Sequence, residues 1–184
     1  MPDLTGHAVR TEDGWVVFDP PAAPGVVAGL RALGPVAAIL LTGAHHDRAA
    51  GALRARIGMP PIFAPRRDRE VLLDGGCLVD QVLDEGDQAF GFEVIDLPEV
   101  GRFGAESAFF AAGRRLLVIS DLLVVTETAV ACYGQAFGVD VPSRLLGPYL
   151  ERLARLEPET LLAGHGLDIV SAAAAALRQL AAMG

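Results

Sequence analysis

The chain predicts one α/β domain, in which two α/β halves feed strands into a layered sandwich with helices outside. Three observations predict it. Val36 to Thr42 is a continuous apolar run bounded by turn residues, the pattern of a strand buried on both faces. Stretches with helical spacing alternate with such strands, and Gly or Pro closes them. The order is hairpin, then αβα, then several strands, then α, β and α, with no linker or composition break and no repeat period.

The elements follow in turn. His7 to Arg10 and Trp15 to Asp19 read as a hairpin, because Thr11-Glu12-Asp13-Gly14 supplies turn chemistry between them. Val26 to Leu33 has helical spacing, and Gly34-Pro35 stops it. After the loop Gly43 to Arg48, Ala49 to Ile57 reads as a helix and Ile62 to Ala64 as a brief strand. Asp68 to Leu73 is a short helix, with Arg66, Arg67, Arg69, Asp68 and Glu70 read as its solvated start. Strands follow at Val79 to Leu83, Phe92 to Leu97, Ser107 to Ala111 and Leu116 to Ser120, the last two joined by a turn at Gly113-Arg114. The glycines of Thr126 to Asp140 point to a loop over a site. Pro142 to Leu156 is a helix, Leu161 to Ala163 a strand, Gly164-His165-Gly166 a tight turn, and Ser171 to Met183 a closing helix.

Composition narrows the function classes. The net charge of −8 disfavours nucleic acid and anionic lipid as partners. Every apolar run is too short to cross a bilayer, and Met1-Pro2-Asp3-Leu4 lacks a signal-like start, so the expected location is the cytoplasm. All basic residues are Arg, and Lys and Asn are absent, a pattern of biased coding. Cys77 and Cys132 sit among apolar neighbours and read as small buried hydrophobes without a disulfide. Trp15 reads as core.

Loops at the C-terminal ends of buried strands are where α/β sites form. Three such ends carry His45 and Asp47, Asp121, and His165. Carboxylate with imidazole is a ligand set for zinc or a similar divalent metal. His46 reads as a solvated loop residue or a donor behind the site, and Asp19 as a loop-anchoring acceptor.

Thr42-Gly43-Ala44-His45-His46-Asp47-Arg48 resembles the metallo-β-lactamase motif Thr-His-x-His-x-Asp-His after a buried strand. Phe18-Asp19 resembles the early strand ending in Asp, Ile119-Ser120-Asp121 the strand ending in the bridging aspartate, and Gly164-His165-Gly166 the last metal-histidine turn. The resemblance covers nearly the whole chain. It implies a four-layer αβ/βα sandwich with two mixed sheets and helices outside.

The departures concern the metals. Carried over position by position, Gly43 stands at the first motif histidine, Arg48 at the third, and Arg102 near the middle-loop histidine. His45, Asp47, Asp121 and His165 match. The full two-metal site of the superfamily uses more histidines than this chain supplies. Asp47, Asp121 and His165 would belong to one metal position, with Arg48 in place of a further ligand. A cation about 5 Å from a dication costs roughly 6–7 kcal/mol at an effective dielectric near 20. Arg48 and Arg102 are read instead as substitutes for the metals, with Asp47, Asp121 and Glu106 as partners. A branch of the superfamily is similar in having His-His-x-Arg after Thr, a Glu in the middle loop, and a retained Asp and His-Gly.

The resulting expectation is a member of this superfamily with a degenerate metal site and no resident cofactor. Its polar pocket of His45, Asp47, Arg48, Arg102, Glu106, Asp121 and His165 would hold an unidentified small ligand or serve the structure. The alternative is a single-metal hydrolase of a small ester, thioester or lactone. There Asp47, Asp121 and His165 hold zinc or another divalent metal, and His45 assists proton transfer. A third reading is metal-free acid–base chemistry by His165 with Asp121 or Glu106. The apolar C-terminal helix leaves homo-oligomerisation open.

Overall fold

The structure is a computed structural model that describes residues 5–47, 49–97, 105–127, 130–132 and 143–183. Arg48, Glu99, Arg102, Pro142 and most of the segment after Thr126 lie outside the described residues.

Two five-stranded sheets form the frame. The first runs β1-β2-β3-β4-β5: His7–Arg10, Trp15–Phe18, Val36–Leu40, Ile62–Pro65 and Gln81–Leu83. β1 pairs antiparallel with β2, and every later pair is parallel. The second runs β12-β9-β8-β7-β6, from Thr160–Ala163 through Leu116–Ile119, Ser107–Ala111 and Phe92–Asp96 to Gln88–Ala89. There β12 and β9 are parallel and the rest antiparallel. A hairpin of β10 (Leu123–Val125) and β11 (Val130–Cys132) extends from the end of β9.

Burial divides the apolar residues into three layers. Phe18, Leu40, Phe92, Phe109 and Val118 meet between the sheets, where Phe18 packs edge-on against Phe92 and Phe109. Val17, Ile39, Ile62 and Ala64 turn to the other face of the first sheet. They pack against Leu30 of α1 (Val26–Leu33), Leu53 of α2 (Ala50–Arg54) and Leu72 of α3 (Arg69–Asp74). Leu117, Ile119 and Leu161 cover the outer face of the second sheet with Leu150, Leu153 and Leu177. Those three come from α4 (Ser143–Arg155) and α5 (Ala173–Ala182). Helix, sheet, sheet and helix are the four layers expected.

Some elements differ from the expectation. The helix after β3 is confined to α2, the β6 and β10 strands were not foreseen, and β11 stands inside the segment Thr126 to Asp140 that was read as a loop. Trp15 is half-buried rather than core: its indole N–H donates to Leu33 O, and Arg10 lies over its ring. Both cysteines are buried thiols, as read. No helix among the described residues is long and apolar enough to cross a membrane.

Candidate functional site

The ends of β3, β9 and β12 and the start of β8 meet at one end of the sandwich, because β8 runs antiparallel to β9. The loop after β3 is anchored first. Asp19 is buried and accepts the Thr42 backbone N–H at 2.9 Å and its hydroxyl at 2.8 Å. The Ser107 N–H donates to Thr42 O at 2.7 Å and ties the loop to the second sheet. Ala44–His46 then forms a 3₁₀ turn, closed by His46 N–H onto Gly43 O.

That turn directs His46 inward. It is only 2% exposed. Its Nε2 lies 3.3 Å from Asp121 Oδ2 and its Nδ1 3.2 Å from the buried Ser120 Oγ. His165 Nε2 bonds the other Asp121 oxygen at 2.6 Å. One carboxylate therefore sits between two buried imidazoles.

Glu106 completes the cluster from the start of the β8 segment. Its Oε2 accepts the Asp121 N–H at 2.8 Å and its Oε1 the Leu122 N–H at 2.6 Å. The turn after β9 is thus gripped by a buried carboxyl group. The His165 turn packs just as closely: Gly166 has φ +82°, and a Cβ there would lie 1.9 Å from Val125 O.

The charges respond to this packing. Burial pushes the Glu106 carboxyl up to about 7, with Asp121 adding to the rise and His46 and the two N–H bonds opposing it. Burial also raises Asp121, but its bonds to His165 and His46 outweigh that and hold it well below the usual carboxylate range. Burial lowers His46, while Asp19, Asp121 and Glu106 more than offset it and raise the imidazole. Two neighbouring carboxyls are thereby separated in role: Asp121 stays ionised, and Glu106 exchanges a proton near neutrality.

Of the sequence-predicted residues, Asp121, His165 and Glu106 come together. His45 is exposed on the outer side of the 3₁₀ turn. The Asp47 carboxylate lies 4.0 Å from where a Cβ on Gly75 would stand. Among the described residues no group of three or more His, Cys, Asp or Glu side chains is arranged to hold a metal ion. Arg48 and Arg102 lie outside the described residues.

Sequence reasoning missed two contributors and left a third open. Of the two readings of His46, the solvated one is overturned by its burial, and no alternation in the sequence distinguishes it from His45. The stretch read as a solvated helix start is exposed at Arg66, Arg67, Arg69 and Glu70 and half-buried at Asp68, but two of its side chains also reach the site. Arg67 reaches the second sheet, 2.6 Å from Asp96 Oδ1 and 2.9 Å from Ser107 Oγ. Asp68 turns to the histidine loop and accepts the Ala44 N–H. The alternating charges of this stretch conceal that reach.

The solved structures similar to this chain include the following three. A protein crystallised in a di-iron-bound form, TTHA1623, is 26% identical, with a TM-score of 0.64 over 91% of this chain and 93% of its own. The DIM-1 metallo-β-lactamase exposed to ceftazidime is 16% identical, with a TM-score of 0.73 over 99% and 86%. The FIM-1 metallo-β-lactamase from Pseudomonas aeruginosa, in a mono-zinc form, is 15% identical, with a TM-score of 0.72 over 99% and 84%. No family model and no curated protein matches the sequence.

Proposed function

From the premise that this chain has the metallo-β-lactamase fold, we propose that an internal carboxylate–imidazole cluster replaces the metal centre. The polar site then binds a small ligand or stabilises the fold, and two-metal hydrolysis is not its activity. The observation that carries this reading is Asp121, whose carboxylate is held on one oxygen by His46 and on the other by His165. A metal at Asp121 would have to displace one of these bonds.

A second observation supports it. At Gly43, where the motif has a histidine, a Cβ would stand 3.3 Å from Ala105 O and 3.7 Å from Glu106 Cβ. Ala105 and Glu106 crowd the side-chain space above this position. The residues present do not fit a two-metal centre. Within the cluster Asp121 holds the two imidazoles in place, and Glu106 fixes the turn carrying Asp121 while holding or releasing a proton at its carboxyl.

The single-metal hydrolase remains the competing reading, favoured by the mono-zinc form of FIM-1 and the di-iron form of TTHA1623. Elemental analysis decides between them, on protein purified without chelator and then challenged with excess zinc. The expected result is no stoichiometric metal and a melting temperature unmoved by zinc or chelator. Stoichiometric metal that disappears in Asp121→Ala or His165→Ala overturns the proposal.

A further inference from the structure

We propose that Arg67 and Asp68 are positioning residues that set the separation of the histidine turn from Glu106, one dipeptide bracing both sides of the site. The inference rests on the reading of the cluster as the functional centre.

The two side chains leave the turn after β4 in different directions. Arg67 crosses between the sheets: Nη1 meets Asp96 Oδ1 at 2.6 Å and Nη2 donates to Ser107 Oγ at 2.9 Å. The Ser107 hydroxyl donates in turn to Asp96 Oδ1 at 2.8 Å, closing a three-membered network on β7 and β8. Ser107 directly follows Glu106, so a fixed Ser107 fixes where the Glu106 carboxyl reaches the 121–122 backbone. A guanidinium is suited to this, because its planar fork holds two acceptors at once.

Asp68 faces the first sheet's loop. Its carboxyl accepts the Ala44 N–H, one residue from Gly43 and two from His46. Its Oδ2 lies 3.8 Å from Arg67 Nε and 3.8 Å from where a Cβ on Gly43 would stand. That oxygen is buried, with no hydrogen-bond donor among the described residues. A buried acceptor left unmatched costs stability. Its position beside the site fits a carboxyl placed to hold the loop rather than to stabilise the chain at large.

The test uses amide hydrogen exchange and the ring-nitrogen resonances of His46 in the full-length, metal-free protein. Arg67→Ala is expected to speed exchange of the Asp121 and Leu122 amides about tenfold and to shift the His46 ring signals. Amides of β1, at the edge of the first sheet away from β4, keep their wild-type protection. Asp68→Ala is expected to do the same to the Ala44 amide. Asp68→Asn restores it, because the amide oxygen still accepts that N–H. Arg67→Lys falls between, since an ammonium reaches Asp96 without forking to Ser107. If the alanine variants speed all amides equally, or leave amides 44, 121 and 122 and the His46 rings at wild-type values, the proposal is wrong. Stoichiometric zinc in the wild-type sample would defeat the functional reading alone, since the brace is judged on the metal-free protein.

Discussion

Replacing Asp121 by Ala removes a carboxylate that both buried imidazoles share. The carboxylate is 15% exposed and each histidine side chain 3%. Breaking a buried ion pair from one side costs about 3–5 kcal/mol when the partner stays charged. An imidazole can release its proton instead, and the loss then falls toward about 1–3 kcal/mol for each unmatched hydrogen bond. Both routes meet near ~3 kcal/mol. For a chain of 184 residues this corresponds to a melting temperature lowered by roughly 6–12 °C. The sequence reading paired Asp121 with Arg48 or Arg102, which lie outside the described residues; the partners described are His46 and His165. Urea and thermal melts at neutral pH, in chelator, measure it, and an unchanged urea slope shows that both variants unfold from the same compact state. Asp121→Asn keeps one acceptor and is expected near half the loss. An Asp121→Ala protein within about 0.5 kcal/mol of wild type refutes the idea that this cluster holds the site together.

Two further outcomes separate the groups of the site. His46→Ala is expected to cost about 2–4 kcal/mol in the same melts and the exposed His45→Ala less than about 0.5 kcal/mol; equal effects would mean that the inward turn of His46 is misassigned. The Glu106 carboxyl, raised from 4.5 to about 7, holds in the folded state a proton that the unfolded chain has already released, so stability falls as pH rises across that window, by up to about 3 kcal/mol. The raised His46 acts in the same sense, its contribution present below its ordinary 6.5 and lost as pH rises through the folded value. The depressed Asp121 acts oppositely, its contribution present above its ordinary 3.8 and lost as pH falls below it. Glu106→Gln should flatten urea-melt stability between pH 4.5 and 7, and a slope identical to wild type would rule out Glu106 as its source.

The fold was legible because its signals are long and redundant. Val36 to Thr42 reads as a buried strand on composition alone, and Gly-His-Gly after Ala163 marks a turn that packing then requires. Asp19, read as a loop anchor, holds Thr42 through two bonds. Asp121 and His165 meet because each follows the end of a strand, and Glu106, singled out in the middle loop, meets the same turn. His45 and His46 defeated the reading for a geometric reason. In a 3₁₀ turn neighbouring side chains diverge by about a third of a revolution, so one faces in and the next out. Which one depends on backbone angles that two adjacent histidines do not encode. Arg67 and Asp68 were lost for another reason: their partners, Ser107, Asp96 and Ala44, lie 40, 29 and 24 positions away along the chain. Local charge alternation carries no trace of a contact across two sheets.

The crowding at Gly43 couples two distant positions. A histidine there would place its Cβ 3.3 Å from Ala105 O, so that carbonyl would have to give by a few tenths of an ångström. That backbone carries Glu106, which grips the turn bearing Asp121. A side chain added at Gly43 is therefore felt at Asp121 through the 105–106 backbone. Substitutions at Gly43 and Glu106 are expected not to add in stability, because they act on one shared stretch of chain.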